Sequence, residues 1–327
     1  MQRRPLLFAV AAAFAAGTLA LPAQAQGFPE RPVRIIVPFA AGNTLDQSLR
    51  LVAEVFRRET GQPLVIDNRP GGGGTIAAQA VATAAPDGYT LLLGNTSMLT
   101  INPHTFSRLP YDADKSFAPV TNYLGASMVM AVNAEKVPAT NVAEFIAWAR
   151  PQGDRVSFAS FTAGNSSHFA GVIMNQRTGT NMLHVPFNGT PPAVTNLVAG
   201  EVHAAFLPLL AVKPHVDSGK VRVLAVTSAE RSPLLPAVAT FREQGLPEME
   251  IYIWAAVMAP AGTPAPVIAR LNQVFGTALR DAEIRDKWAT WAFEPLPSTP
   301  EALQRFVQAE SARWAEAVRI SGFKATE

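Results

Sequence analysis

The sequence predicts an α/β fold built from parallel-rich sheets flanked by helices. Three observations lead there. Short apolar runs recur at residues 33–37, 63–66, 89–93, 129–132, 155–159, 182–185, 202–206 and 221–227, each the length of one buried strand. Segments with apolar residues at helical spacing separate them. Several runs end in a turn of small and polar residues that opens the next helix: "PFAAGNTLD", "LLLGNTSM", "FASFTAGNSSH" and "VPFNGTPPA". Such alternation places helices on both faces of mostly parallel sheets.

After the first strand, Leu45, Leu49, Val52 and Phe56 share one helical face, and Gly61 followed by Pro63 marks the stop. "RPGGGGTIAAQAVA", residues 69–82, lacks the third glycine of a dinucleotide fingerprint, since Ile76 stands in its place. No G-K-[ST] occurs anywhere. It reads as a flexible turn between strand and helix. At the C-terminal end Ser298-Thr299-Pro300-Glu301 opens a helix whose buried face is Leu303, Phe306, Val307, Trp314 and Val318, and which Gly322 ends. This helix reads as structure rather than site.

The chain has 327 residues, 48% of them hydrophobic and 16% charged, and no cysteine. It has the length for two ordinary domains and the composition of a globular protein. Residues 1–25 carry Arg3 and Arg4, an apolar run over 6–20 and the small-x-small site Ala23-Gln24-Ala25. They are expected to be a cleaved signal peptide, the run being shorter than the roughly 20 residues of a membrane span. Removing them takes away two positive charges and leaves a formally neutral chain, so neither nucleic acid nor an anionic membrane surface is an expected partner. Without cysteine there is no thiol nucleophile, thiolate metal site or disulfide. The five histidines show no H-x-x-x-H spacing, so no metal is expected. No cofactor is expected either.

The strand-to-helix turns carry the candidate chemistry. A helix N-terminus leaves backbone N–H groups unpaired and carries partial positive charge, so a turn of small residues can admit an anion without any basic side chain. In 40–44, Gly42 gives room, and Asn43 and Thr44 add polar groups; a plain tight turn is the competing reading. Asp46 either pairs with Arg50 at i+4 or accepts from a ligand amine or water. In 159–168, adjacent Ser167 and His168 do not make a triad, and no G-x-S-x-G elbow is present; an anion-contacting turn or a helix cap fits better than catalysis. Two sheets that each offer such turns make a cleft between two lobes.

The motifs "PERPVRIIVPFAAG", "GQPLVIDNRPGGGG", "APDGYTLLLG", "INPHTFSRLPYD", "FAPVT", "HVPFNGTPPAVTNLVAGEV", "LAVTSAERSPLLPAV" and "APAGTPAPVIARLN" occur in this order through nearly the whole chain after residue 25. In them the sequence resembles the Bug group of extracytoplasmic solute-binding proteins, which serve tripartite tricarboxylate transporters. The resemblance implies a two-lobed periplasmic binding protein type II fold. Residues 26–125 with 256–327 would form one lobe and 126–255 the other, with chain crossings near 125–130 and 251–256. It implies a monomeric, non-enzymatic periplasmic protein that holds a small organic carboxylate. Its partners would be the membrane subunits of a transporter or, alternatively, a membrane sensor. Carried over by position, the first-lobe candidates are Phe39, Ala41, Gly42, Asn43, Thr44 and Asp46, with Asn95, Thr96 and Ser97. The second lobe offers Thr162, Asn165, Ser166, His168, Phe187, Asn188 and Gly189. The sequence departs from the group pattern at Asn43, Leu45, Leu207 and Pro208, where glycine, a hydroxyl residue, aspartate and asparagine are usual. These departures suggest a monocarboxylate with an apolar body.

Overall fold

The computed structural model describes residues 27–324, so the expected signal segment lies outside the described residues. Strand β1 (Val33–Val37) pairs in parallel with β2 (Leu64–Asn68) on one side and β3 (Thr90–Asn95) on the other. β3 pairs antiparallel with β9 (Tyr252–Pro260), and β9 antiparallel with residues 117–127 of the long strand β4 (Phe117–Asn133). A short β10 (Phe293–Pro295) adds to β4 at residues 124–126. From Met128 onward β4 belongs to a second set of strands. There it pairs antiparallel with β7 (Ala204–Pro208) and with β8 (Val221–Val226). β7 pairs in parallel with β5 (Ser157–Ser160), which pairs in parallel with β6 (Leu183–Pro186).

These pairings fix directions. β4 is antiparallel to β9, which is antiparallel to β3, so β4 runs the same way as β1, β2 and β3. It leaves the first sheet at their carboxyl ends. In the second sheet β5, β6 and β7 run opposite to β4, with carboxyl ends directed back toward the first. The carboxyl ends of the two parallel sets therefore face each other across β4.

The inner strands of each sheet are buried on both faces, which is why they read as continuous apolar runs, while Val65 on the outer β2 and Leu183 on the outer β6 stay exposed. Val33, Ile35 and Val37 pack in one core with Leu91 and Leu93, while Ile36 and Leu92 point into the opposite one. In the second sheet Met128, Met130 and Val132 face one core, and Val129 and Ala131 the other. Helix α1 (Thr44–Thr60) joins β1 to β2 and buries Leu49, Val52 and Phe56, as its spacing predicts, with Gly61 as its left-handed C-cap. α2 (Thr75–Ala82) joins β2 to β3, and a π-helical turn, Ser97–Ile101, followed by α3 (Asn102–Thr105), comes after β3. α4 (Val142–Ala149), α5 (Ser166–Thr178), α6 (Thr190–Ala199) and α7 (Leu209–Asp217) connect the strands of the second sheet. α8 (Ala265–Arg280) and α9 (Ala282–Ala289) return to the first core.

The final helix, α10 (Pro300–Ser321), starts at Thr299, whose side chain caps the Ala302 N–H, and stops at Gly322. It is seated in both halves. Leu303 and Val307 lie in a core of the first sheet, and Trp314, Ala317 and Val318 in a core of the second. Between these seats Glu310 accepts hydrogen bonds from the indoles of Trp254, on β9, and Trp314, both at 3.2 Å.

Where sequence and structure differ, polar residues account for it. The apolar run 129–132 is only the tail of the 17-residue β4, whose earlier part carries Thr121, Asn122, Gly125 and Ser127 and two register shifts against β9. β2 extends to Asp67 and Asn68 because both pair in register with Ile36 and Val37. The glycine segment forms a turn in which Gly71, Gly72, Gly73 and Gly74 all have positive φ, a conformation open to glycine at little cost. It leads directly into α2 with Gly74 as the N-cap, where Met98 fills the space beside Gly74.

Candidate functional site

The first wall of the candidate site is the turn from β1 into α1. Asn43 is the N-cap, and its Oδ1 accepts from Asp46 N–H at 2.8 Å. Asp46 replies by accepting from Gly42 N–H at 3.0 Å and from Arg50 Nε at 2.9 Å. Its side chain is 1% exposed. Burial alone would raise this carboxyl, but the bonds from Gly42, Arg50 and Asn68 outweigh it and hold Asp46 below the ordinary carboxylate value. Asp46 thus serves the turn itself, and the i+4 pairing with Arg50 is what the structure contains. Two helix amides remain: Thr44 and Leu45 N–H have no acceptor among the described residues. Gly42, at φ +86, has open space where a Cβ would be. Ala41 and Gly42 are exposed, and Phe39, Asn43 and Thr44 half-buried. Asn68 steadies the approach by donating to the Phe39 carbonyl at 3.0 Å.

The neighbouring turn after β3 is more committed to structure. The hydroxyl of Thr96 is buried and engages both the N–H and the carbonyl of Trp254, at 2.9 and 3.3 Å. Asn95 Oδ1 accepts from Met98 N–H at 2.9 Å, leaving its amide nitrogen, and Ser97 is half-buried.

The second wall is the turn from β5 into α5. Asn165 caps the helix, its Oδ1 accepting from Ser167 and His168 N–H at 3.0 and 3.1 Å. Ser167 donates to the Phe206 carbonyl at 2.6 Å and makes no hydrogen bond to His168. His168 Nδ1 instead accepts from Gly164 N–H at 3.2 Å. This arrangement is a cap, and Ser167 and His168 do not form a nucleophile–base pair. Ser166 N–H has no acceptor among the described residues, and Thr162 is exposed beside it. The turn after β6 is tied to the same wall, with Phe187 N–H donating to Ser160 O and Gly189 N–H to Phe161 O. α6 opens with Thr190-Pro191-Pro192, and proline has no N–H, so this helix start has few amides to offer. Asn188 is exposed and Phe187 half-buried.

His168 is held in a column of rings rather than presented to solvent. It stacks on His184 at 3.8 Å and 12°, with Phe169 on its other side and Phe158 beyond His184. His184 Nε2 shares a 2.7 Å hydrogen bond with Ser160 Oγ. Burial, reinforced by the charge repulsion of His184, pushes His168 down to about 3, and burial pushes His184 down to about 4. Both rings are neutral in the folded protein at neutral pH, while the unfolded chain takes up protons below about 6.5. The stabilisation is therefore complete above pH ~6.5 and is lost as pH falls toward 4. A series of thermal melts is expected to show Tm falling over that interval, and His184→Gln, which keeps a partner for Ser160, is expected to flatten the fall. Equal pH slopes in the two proteins would remove the pair as its cause.

The structure also revises the reading of the apolar positions. Leu207 is fully buried in a core of the second sheet and supplies no open ligand surface, whereas Leu45 is half-buried against a core of the first. Pro208 is half-buried at the end of β7. Two surface concavities, of about 400 and 640 Å³, lie away from the facing turns. One sits between α5 and α10, the other beside Asn133 and Lys220, and none of the candidate residues lines either. Among the described residues no cluster of His, Asp and Glu could hold a metal ion, and no helix is long and apolar enough to cross a membrane. Sequence reasoning missed Asn68, Thr227 and Phe323. Each acts through a contact with a residue distant in the chain, and only Asn68, in a strand-end "DN" beside the first turn, left a local hint.

Comparison with known proteins places this geometry. Bordetella pertussis protein BugT is 34% identical over 325 residues, covering 99% of each chain. The structure of an R. palustris protein with adipate superposes with a TM-score of 0.78 at 33% identity, covering 91% of this chain and 99% of that one. The periplasmic binding protein BugD gives a TM-score of 0.75 at 33% identity, covering 91% and 100%. The fold is that of a periplasmic binding protein, and residues 48–323 match the tripartite tricarboxylate transporter family receptor. That family is one of solute-binding receptors rather than enzymes, and the chain belongs to it.

Proposed function

We propose that this protein captures a small organic carboxylate in the periplasm, between two lobes built on the two sheets, and delivers it to the membrane subunits of a tripartite transporter. The proposed lobe boundaries lie at the expected crossings near residues 125–130 and 251–256, on β4 and on the segment entering β9. One observation carries the reading: opposite strand directions on either side of β4 turn the amide-bearing starts of α1 and α5 toward the same gap. The family match and the adipate-bearing relative support it. Thr44, Leu45 and Ser166 N–H are the donors proposed for the acid group or groups. Asn43, Asn95, Ser97, Thr162, Asn188 and Gly189 surround them, and Phe39 and Phe187 meet the apolar body.

Charge-assisted hydrogen bonds contribute about 1.5–3 kcal/mol each, and micromolar affinity requires about 8 kcal/mol. Three amides thus supply much of the binding energy, and burial of the ligand body on lobe closure supplies the rest against the cost of ordering. With Leu207 in the core, the preference for one carboxylate over two rests on Leu45 and Pro208 alone. A thermal-shift panel tests both levels, using hexanoate, benzoate, adipate, malate, citrate and glutamate on the chain freed of prebound solute by mild unfolding. An acid with an apolar body at 100 times its Kd is expected to add about 2.7 kcal/mol of stability. Strict preference for citrate or glutamate would refute the apolar-body reading, and no shift with any acid would refute the carboxylate reading.

A further inference from the structure

Phe323 lies far in sequence from the turns described above, yet its ring rests on one of them. α10 ends at Gly322, with φ +64, and Phe323 N–H folds back to donate to Ser321 Oγ at 3.0 Å. The ring then meets His168 edge-on at 5.4 Å and Phe169 edge-on at 6.1 Å. It also fills the space beside Gly164. A Cβ built on that glycine, which has φ +74, would lie 2.5 Å from Phe323 Cε1 and 2.8 Å from Cζ. Such distances exclude any larger residue while the ring is in place, apart from the strain of the positive φ itself.

The residues under the ring set the first turn of α5. Gly164 N–H donates to His168 Nδ1, and Asn165 caps Ser167 and His168. His168 is fixed on its other face by the stack with His184. The ring of Phe323 packs on this assembly from the end of α10, against Gly164, His168 and Phe169. The helix that brings it there is anchored at both ends: α10 seats Leu303 and Val307 in the first sheet's core, and Trp314, Ala317 and Val318 in the same core as Phe169 of α5.

We infer that Phe323 is a positioning residue for the second wall of the site, holding the 162–166 turn in the conformation that presents Ser166 N–H to the gap. The inference rests on the reading of that turn as half of an acid site. It also gives the C-terminal half of α10, seated in the second sheet's core, a second role in fixing the conformation of a ligand turn on that sheet. The ring touches no ligand in this role and acts only through Gly164 and His168.

Hydrogen–deuterium exchange on the ligand-free protein tests it. In Phe323→Ala the hydrogen-bonded amides of Gly164, Ser167 and His168 are expected to exchange at least tenfold faster, with those of residues 46–49 in α1 unchanged. Phe323→Leu, which keeps an apolar contact with the glycine, is expected to restore most of the protection and serves in place of the alanine variant should that one fold poorly. With adipate as probe, Phe323→Ala is expected to bind at least fivefold more weakly. Unchanged exchange at Gly164, Ser167 and His168, or acceleration spread evenly over the chain, would overturn the inference. Failure of adipate to bind the wild type would count against adipate as the ligand and leave the exchange result to decide the role of Phe323.

Discussion

Asn43→Asp is expected to weaken binding of adipate, or of whichever panel acid binds most tightly, by ten- to a hundredfold without loss of thermal stability. Aspartate is as good an N-cap as asparagine, so its carboxylate can still accept from Asp46 N–H and the helix start survives. What changes is charge. Asp46, already in the turn, is compensated by Arg50 and Gly42 N–H. A second carboxylate at position 43 has no such partner and stands beside the Thr44 and Leu45 amides. At about 5 Å and an effective dielectric near 20, two like charges repel by roughly 3 kcal/mol, and solvent screening reduces this toward about 1.4 kcal/mol, a tenfold loss. Isothermal titration measures the affinity and a melt the stability. Unchanged affinity would move the acid group away from α1.

Thr227→Val is expected to cost the most stability of any isosteric change in the fold. Thr227 follows β8 where the two sheets meet and is completely buried. Its hydroxyl accepts from Met128 N–H at 2.9 Å and donates to the Ile251 carbonyl at 2.6 Å. Met128 is the residue at which β4 passes between sheets, and Ile251 precedes β9. Valine keeps the shape and removes both bonds, leaving a buried N–H and a buried carbonyl unsatisfied. At about 1–3 kcal/mol for each orphaned group the loss is about 2–6 kcal/mol, or a Tm lower by roughly 3–10 °C. Thr227→Ser retains the hydroxyl and is expected to lose less than half as much. A valine variant as stable as the wild type would show that the crossing is held by its backbone pairing alone.

How much of this was legible in advance varies from residue to residue. The α1 face of Leu49, Val52 and Phe56 and its Gly61 stop were legible because they depend on neighbours within one helix. So was the start of α10 at Thr299, since a cap is chemistry between residues three apart. The pairing of Asp46 with Arg50 was one of two readings, because i+4 spacing permits an ion pair but does not show that burial excludes water from it. Leu207 read as a cleft position by its place after Phe206, whereas strand alternation turned it into the core. His168 read as a candidate contact, and the ring column that occupies it depends on His184 and Phe158, which nothing local ties to it.

The sequence by itself determined the kind of element at most positions, the strand-to-helix turns rich in small residues, and the absence of thiol chemistry. These follow from periodicity, capping and composition, whose interactions span a few residues. The tertiary structure alone decided that β4 runs with one sheet and against the other, so that two sets of helix starts confront one another. It alone decided that Asn43 and Asp46 use up part of their own turn, and that Thr227 and Phe323 hold parts of the chain far from their neighbours in sequence. Strand direction and long-range packing depend on loop closure between distant segments, and no local pattern of residues encodes which distant partner a buried group will meet.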